Sequence, residues 1–248
     1  MIDMRATQLL FLTPLMVVGL VSPALAMHIS EGILPAGWAG LWFLLAAPFV
    51  ALGLRQMVRR KAIDPSYLPL VGIFGAAVFV FSCFPIPVPV AGSTSHPAGT
   101  GLSAVILGPL PSVVVAFVSL LLQALFMAHG GLTTLGANTF TMGVMGSFVG
   151  FLAFKMVRKG GGSLFLGGFA AGVAADLTTY FGTAAVMALA LHGDHSFWSV
   201  LGQIYLAFMP TQIPLCLLEG VVGGLILSYV QRHRSDLLQR QGILEGAA

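Results

Sequence analysis

Met27 and His28 concentrate more donor chemistry than any other pair in the chain, because they directly follow a segment that reads as removable. Cleavage after Ala26 would leave three nitrogens in succession: the Met27 amine, the His28 main-chain amide and the His28 imidazole. Amine and amide close a five-membered chelate ring on one metal ion, amide and imidazole a six-membered one, so the three are held nearly coplanar. Planar nitrogen coordination favours Ni(II) or Cu(II), and related nitrogen-rich sites accept Co(II). Mg(II) and Ca(II) prefer oxygen and are rejected. A deprotonated amide also contributes one negative charge, which lowers the cost of burying a dication. The candidate fourth nitrogen is His96, in the polar loop Gly92-Ser93-Thr94-Ser95-His96-Pro97.

The elements that must position these donors are set by composition. The chain has 248 residues, 57% hydrophobic and 8% charged, with mean hydropathy +0.96. A soluble domain carries roughly 25% charged residues, so this is an integral membrane protein. Its apolar runs approach the roughly 20 residues of a spanning helix and show no strand-like alternation, which predicts an all-α polytopic bundle. The net charge of +3 comes from short basic clusters flanking apolar runs, which are topology signals and exclude a nucleic-acid surface. Cys83 and Cys216 lie singly inside apolar segments and read as packing residues.

Residues 1–26 have the three regions of a cleavable signal peptide: Arg5, the apolar Leu9 to Val21, and Ala24-Leu25-Ala26. An uncleaved first helix is the alternative. The remainder, 27–248, reads as a single membrane-embedded metal-binding domain. Seven spans are expected: Trp38 to Leu54, Leu68 to Phe84, a short Gly101 to Leu110, Ser112 to Met127, Ala137 to Phe154, Leu164 to Leu191 and Trp198 to Val230. The clusters Arg55-Arg59-Arg60-Lys61, Lys155-Arg158-Lys159 and Arg232-Arg234-Arg240 are then cytoplasmic, with the mature amino terminus outside and the carboxyl terminus inside. The short span is tolerated only against protein or a polar cavity. Small residues in Gly167 to Ala175 and at Gly75-Ala76-Ala77 permit close helix packing, within the bundle or with a partner.

Other polar residues carry two readings each. Gln123, His129 and Asn138 flank a Gly-rich turn; they either orient ligands by pairing with a bound histidine's second nitrogen or satisfy backbone exposed by the turn. One reading sets that turn towards the cytoplasmic side, which counts against direct ligation. Glu31 either receives a histidine N–H or caps the first helix. Ser93 and Ser95 could support the ligands from the His96 loop, or serve a membrane-embedded serine hydrolase, against which HExxH and GxSxG motifs are both absent. Asp176 and Glu219 are acids within spans, functional by default, as in a self-sufficient proton-coupled metal permease, or bonded locally to Thr178, Thr179 or backbone. His192, Asp194 and His195 read as a solvated external cluster.

Three separated stretches, Met27-His28-Ile29-Ser30-Glu31-Gly32-Ile33-Leu34-Pro35, Gly92-Ser93-Thr94-Ser95-His96 and His129-Gly130-Gly131-Leu132-Thr133-Thr134-Leu135-Gly136-Ala137-Asn138-Thr139-Phe140, occur in the order found in the CbiM/NikM family, which the chain resembles over essentially its whole length after residue 26. These are substrate-binding components of energy-coupling-factor transporters for cobalt or nickel. The resemblance implies a seven-helix fold in the bacterial inner membrane and a ligand set of the Met27 amine, the His28 amide and imidazole, and the His96 imidazole. It also implies a membrane coupling subunit, a pair of cytoplasmic ATPases and a small accessory membrane subunit as partners. It implies further a metal, cobalt in preference to nickel, that is a transported substrate feeding cobalamin biosynthesis and not a prosthetic group. The 26-residue leader departs from relatives that begin at the equivalent methionine. No GxxxxGK[ST] phosphate loop is present, so ATP hydrolysis belongs to another chain.

Overall fold

The structure, a computed structural model, describes residues 25–26, 28–83, 86–88 and 93–244. The leader, apart from its last two residues, and Met27 therefore lie outside the described residues. Helix α1 (Ala36–Ile63) starts behind Pro35, whose carbonyl accepts from the Ala39 amide at 3.0 Å. Its 28 residues reach about 42 Å at 1.5 Å per residue, beyond the roughly 30 Å hydrocarbon core. Its basic end at Arg55 to Lys61 can therefore emerge into the polar layer.

Helix α2 (Tyr67–Ser82) is apolar but only 16 residues long. It leads into β2 (Ile86–Val88), where the Pro-rich run forbids helix, and then β3 (Ser93–Ser95). These pair antiparallel, and β1 (Leu25–Ala26) adds to β3 in parallel, with Leu25 opposite Ser93 and Ala26 opposite Thr94. Helix α3 (Thr100–Leu107) has all eight residues buried. At Gly108, φ +91°, the chain reverses into α4 (Pro109–Phe126), whose proline occupies the first turn, where a missing N–H costs nothing.

Helix α5 (Leu135–Lys159) contains a π-helical stretch over Thr139–Gly146. Helix α6 (Leu164–Leu191) begins at Ser163, whose hydroxyl caps the Leu166 amide at 3.2 Å. It packs backbone to backbone on α7 (Phe197–His233): a Cβ on Gly168 would stand 2.8 Å from the Gly223 carbonyl, and one on Gly172 2.9 Å from Gly220 Cα. This glycine stripe is thus used within the bundle. A short α8 (Ser235–Arg240) follows.

The chain is a multi-pass membrane protein in which α1, α4, α5, α6 and α7 are long and apolar enough to cross a bilayer. Outward-facing Leu44 and Trp198, each 74% exposed, suit a lipid-facing surface. Among the described residues these five helices have full spanning length, while α2 and α3, which fall on two of the seven expected spans, are shorter; the nearly all-helical fold includes one small three-stranded sheet, a departure from the expected all-α bundle. The basic clusters gather at one end of the bundle, where Arg60, Lys155, Arg158 and Gln241 line a common cavity. There Arg60 and the Tyr67 hydroxyl both donate to the Leu107 carbonyl, at 2.9 and 3.1 Å, tying down the end of α3.

Candidate metal centre

The parallel register of β1 on β3 carries two distant stretches side by side at an offset of 68 positions, and at that same offset the His28 ring meets the His96 ring. Their Nε2 atoms lie 3.1 Å apart. Both residues are buried, 2% and 0% exposed. His96 Nδ1 faces the carbonyl of Pro97 at 3.0 Å. A carbonyl can only accept, so Nδ1 carries the proton and Nε2 is left with a free lone pair. That tautomer aims a donor atom at His28.

A third ring completes the group. His129 is half-buried, its centroid 4.9 Å from that of His28 and 5.3 Å from that of His96. Each of the three offers a nitrogen within 4.8 Å of the other two, and this is the one such cluster among the described residues. The turn bearing His129 therefore lies beside the His28 segment, at the end of α1 opposite Arg60. It is thus not on the side of the basic clusters, as one reading of the sequence had it: α3 carries the chain to the basic end, and α4 brings it back. Gly130 and Gly131 make the approach possible. Gly130 has φ +78°, and a Cβ there would stand 3.1 Å from His28 Cβ; one on Gly131 would meet Glu31 Cα at 2.6 Å.

Electrostatics keeps the rings neutral. Burial pulls the His28 imidazole well below its usual range, His96 and His129 add to this, and Gln123 opposes it. Burial brings His96 down to about 3, with the Pro97 carbonyl opposing and His129 adding. His129 is lowered by burial alone. Neutral imidazole is the form that binds metal.

The remaining residues hold these donors in place. Asn138, at the start of α5, clamps the peptide after His28: its Oδ1 accepts from the Ile29 amide at 2.8 Å, and its Nδ2 donates to the Ile29 carbonyl at 3.1 Å. Thr134 donates to the same carbonyl at 2.5 Å. Glu31 touches no histidine. Its carboxylate accepts from the Thr133 amide at 3.1 Å, and the Thr133 hydroxyl, ahead of that amide, holds it below the usual carboxylate range. The Gln123 amide donates to Ser82 at 2.8 Å, and its main-chain carbonyl accepts from the His129 amide at 3.3 Å.

The His96 loop is carried by α6 and α7. The His96 amide donates to the Tyr180 hydroxyl at 3.1 Å. Ser95 bonds to Gln212 and Thr211, at 3.2 and 3.1 Å, and not to a histidine, so no hydrolase pair forms there. Ser93 contributes its backbone to β3. The Glu219 carboxylate accepts from the Ala98 amide at 2.7 Å and the Gly99 amide at 2.9 Å. Asp176 accepts from the Gln212 amide. The intramembrane acids thus reach across the bundle, where bonding to neighbouring threonines was one expectation. His192 and His195 stand apart, with His192 Nδ1 near the His195 carbonyl at 3.2 Å.

The profile of CbiM, described as "Cobalt uptake substrate-specific transmembrane region", matches residues 28–237. A "Cobalt transport protein CbiM" of Geobacter sulfurreducens is 50% identical over 226 residues, covering 91% of this chain and 65% of that protein, so the chain spans less than two thirds of that relative's length. A protein of the same name from Sorangium cellulosum is 51% identical over 214 residues, covering 86% of this chain and 95% of the relative. A solved structure described as a transition metal transporter superposes with TM-score 0.74 at 24% identity, covering 88% of this chain and all of that one, a likeness of fold.

Proposed function

This chain belongs to the CbiM family of cobalt-uptake transmembrane proteins, and from that premise we propose that it is the substrate-binding membrane component of an energy-coupling-factor transporter importing a divalent transition metal, cobalt ahead of nickel. The observation that carries the reading is the 3.1 Å approach of His28 Nε2 and His96 Nε2 in a buried, neutral pocket. Removal of residues 1–26 frees the Met27 amine, and residues 27–248 act as one domain. The amine, the His28 amide and imidazole, and His96 then grip the ion. His28 uses Nδ1 to close the six-membered ring with its own amide, so its ring turns from the contact with His96 Nε2 as metal enters.

The gathering of basic residues at one end supports a cytoplasmic placement of that end, which leaves the histidines accessible from outside, with the mature amino terminus there. Energy comes from a partner ATPase pair through a membrane coupling subunit, with a small accessory membrane subunit completing the assembly. The imported ion supplies cobalamin biosynthesis. A self-sufficient permease working through Asp176 and Glu219 fits less well, because both Glu219 oxygens are committed to backbone amides.

The intact mass of the purified, metal-loaded chain tests the proposal. A chain starting at Met27 with one ion is expected, and His96→Ala should strip the ion while His195→Ala does not. An ion held equally well by a chain starting elsewhere would refute it.

A further inference from the structure

His129 carries three features that packing alone does not explain. Its Nε2 is buried and lacks a hydrogen-bond partner, whereas buried polar atoms are almost always paired. Ala128, immediately before it, holds φ +48°, a left-handed conformation that residues with a Cβ seldom adopt and that clusters at functional sites. The ring also stands beside two others whose nitrogens are within 4.8 Å of its own. A metal lies about 2.0–2.1 Å from an imidazole nitrogen, so donors sharing one ion sit within roughly 4 Å of each other. Small side-chain rotations close that gap.

Resting on the reading that this centre holds the transported ion, we infer that His129 is itself a donor to that ion and tilts the centre from Ni(II) towards Co(II). The amine, amide and two imidazoles already provide four nitrogens in a set that favours square-planar metals. A fifth donor serves an ion that accepts higher coordination, and it gives no comparable advantage to one that prefers a plane. Position fits the role. Of the three rings His129 alone is not fully buried, so it is the first imidazole an incoming hydrated ion meets. Strain at Ala128 and the bond from the His129 amide to the Gln123 carbonyl hold the ring in place without occupying Nε2.

The test compares Co(II) and Ni(II) binding to the processed full chain and to His129→Ala in detergent. Loss of one metal contact typically costs about 10–100-fold in affinity. Co(II) affinity is expected to fall by about that factor and Ni(II) affinity by clearly less, with altered Co(II) visible bands that free imidazole restores. Equal losses for the two metals, or unchanged Co(II) bands, would overturn the inference. X-ray absorption of the Co(II)-loaded unaltered chain needs no variant: three imidazoles per ion support the assignment, and two refute it. Acetylating the Met27 amine separates this inference from the reading beneath it. If the blocked chain binds as tightly as the free one, the amine-led grip fails while a selective His129 effect still stands. If His129→Ala changes nothing while blocking abolishes binding, only the inference falls.

Discussion

His28 and His96 face each other through their Nε2 atoms at 3.1 Å, although 68 positions separate them, and neither ring has room for a charge. The Pro97 carbonyl fixes the proton of His96 on Nδ1. The pair is therefore primed as a lone-pair donor opposite a ring that can rotate. Metal can insert without first displacing protons from the imidazoles.

Proton release on binding reports this directly. Free imidazoles titrate near ~6.5 and an α-amine near ~8. With His28 depressed and His96 at about 3, both rings are already neutral at pH 6.5. An ion taken up there should expel about two protons, one from the amine and one from the amide, and not the ~3 expected if ordinary imidazoles also contributed. Potentiometric titration in weak buffer measures the number.

The same depression sets a stability trend. Folded-state values lie below the unfolded value of ~6.5, so the unfolded chain binds protons first as pH falls. The stabilisation from keeping these rings neutral is present above about pH 6.5 and is lost progressively below it. The melting temperature of the metal-free protein should drop between pH 7 and 5, and His96→Gln should flatten that slope. A slope unchanged in the variant would place the titrating group elsewhere.

Asn138→Ala should loosen His28 without touching its ring. The variant removes both bonds to Ile29 and leaves a buried amide unpaired, at about 1–3 kcal/mol, equivalent to roughly tenfold or more in affinity. Isothermal titration with Co(II) should show that loss with unchanged stoichiometry. Wild-type affinity would mean that Thr134 alone suffices to hold the segment.

Glu219→Gln probes the other half of the centre from a distance. A carboxylate accepts from both Ala98 and Gly99, whereas an amide turns an N–H against one of them. A bond to a charged group contributes about 1.5–3 kcal/mol. Metal affinity should fall, yet the Co(II) spectrum at saturation should match the unaltered chain, because Glu219 supports the His96 loop and does not touch the ion. A changed spectrum would make it a ligand.

Much of this centre could be read from residue types, and the part that could not has a physical cause. His28 and His96 can be singled out locally as candidate donors, one behind an expected cleavage site and one in a polar loop, and α6 is legible to its ends because Ser163 and His192 punctuate it. His129 is the residue hardest to place from local pattern, because its side depends on counting the short Gly101 to Leu110 run as a full crossing, and that run folds as an eight-residue, wholly buried α3. The available signal was the Gly130-Gly131 pair beside a histidine, which implies close backbone approach. Glu219 and Asn138 bond to segments more than 100 residues away, a relationship fixed by helix packing and invisible in local pattern.

That glycine pair gives the last prediction. A Cβ on Gly131 would fall 2.6 Å from Glu31 Cα and 2.7 Å from its amide nitrogen, contacts that backbone cannot absorb as a side chain can. Gly131→Ala must therefore push the segment from His28 to Leu34 away from the turn, breaking the bond from the Glu31 amide to the Gly130 carbonyl. Overpacking of this kind costs about 1–3 kcal/mol, and here it separates His28 from His96. Gly161→Ala is the control: it faces open space at φ +80°, so it carries backbone strain of ~1 kcal/mol far from the centre. Both variants should lower the melting temperature, while only Gly131→Ala should weaken Co(II) binding, by about tenfold or more. Equal Co(II) affinity in the two would mean that the His28 segment binds metal without being docked on the His129 turn.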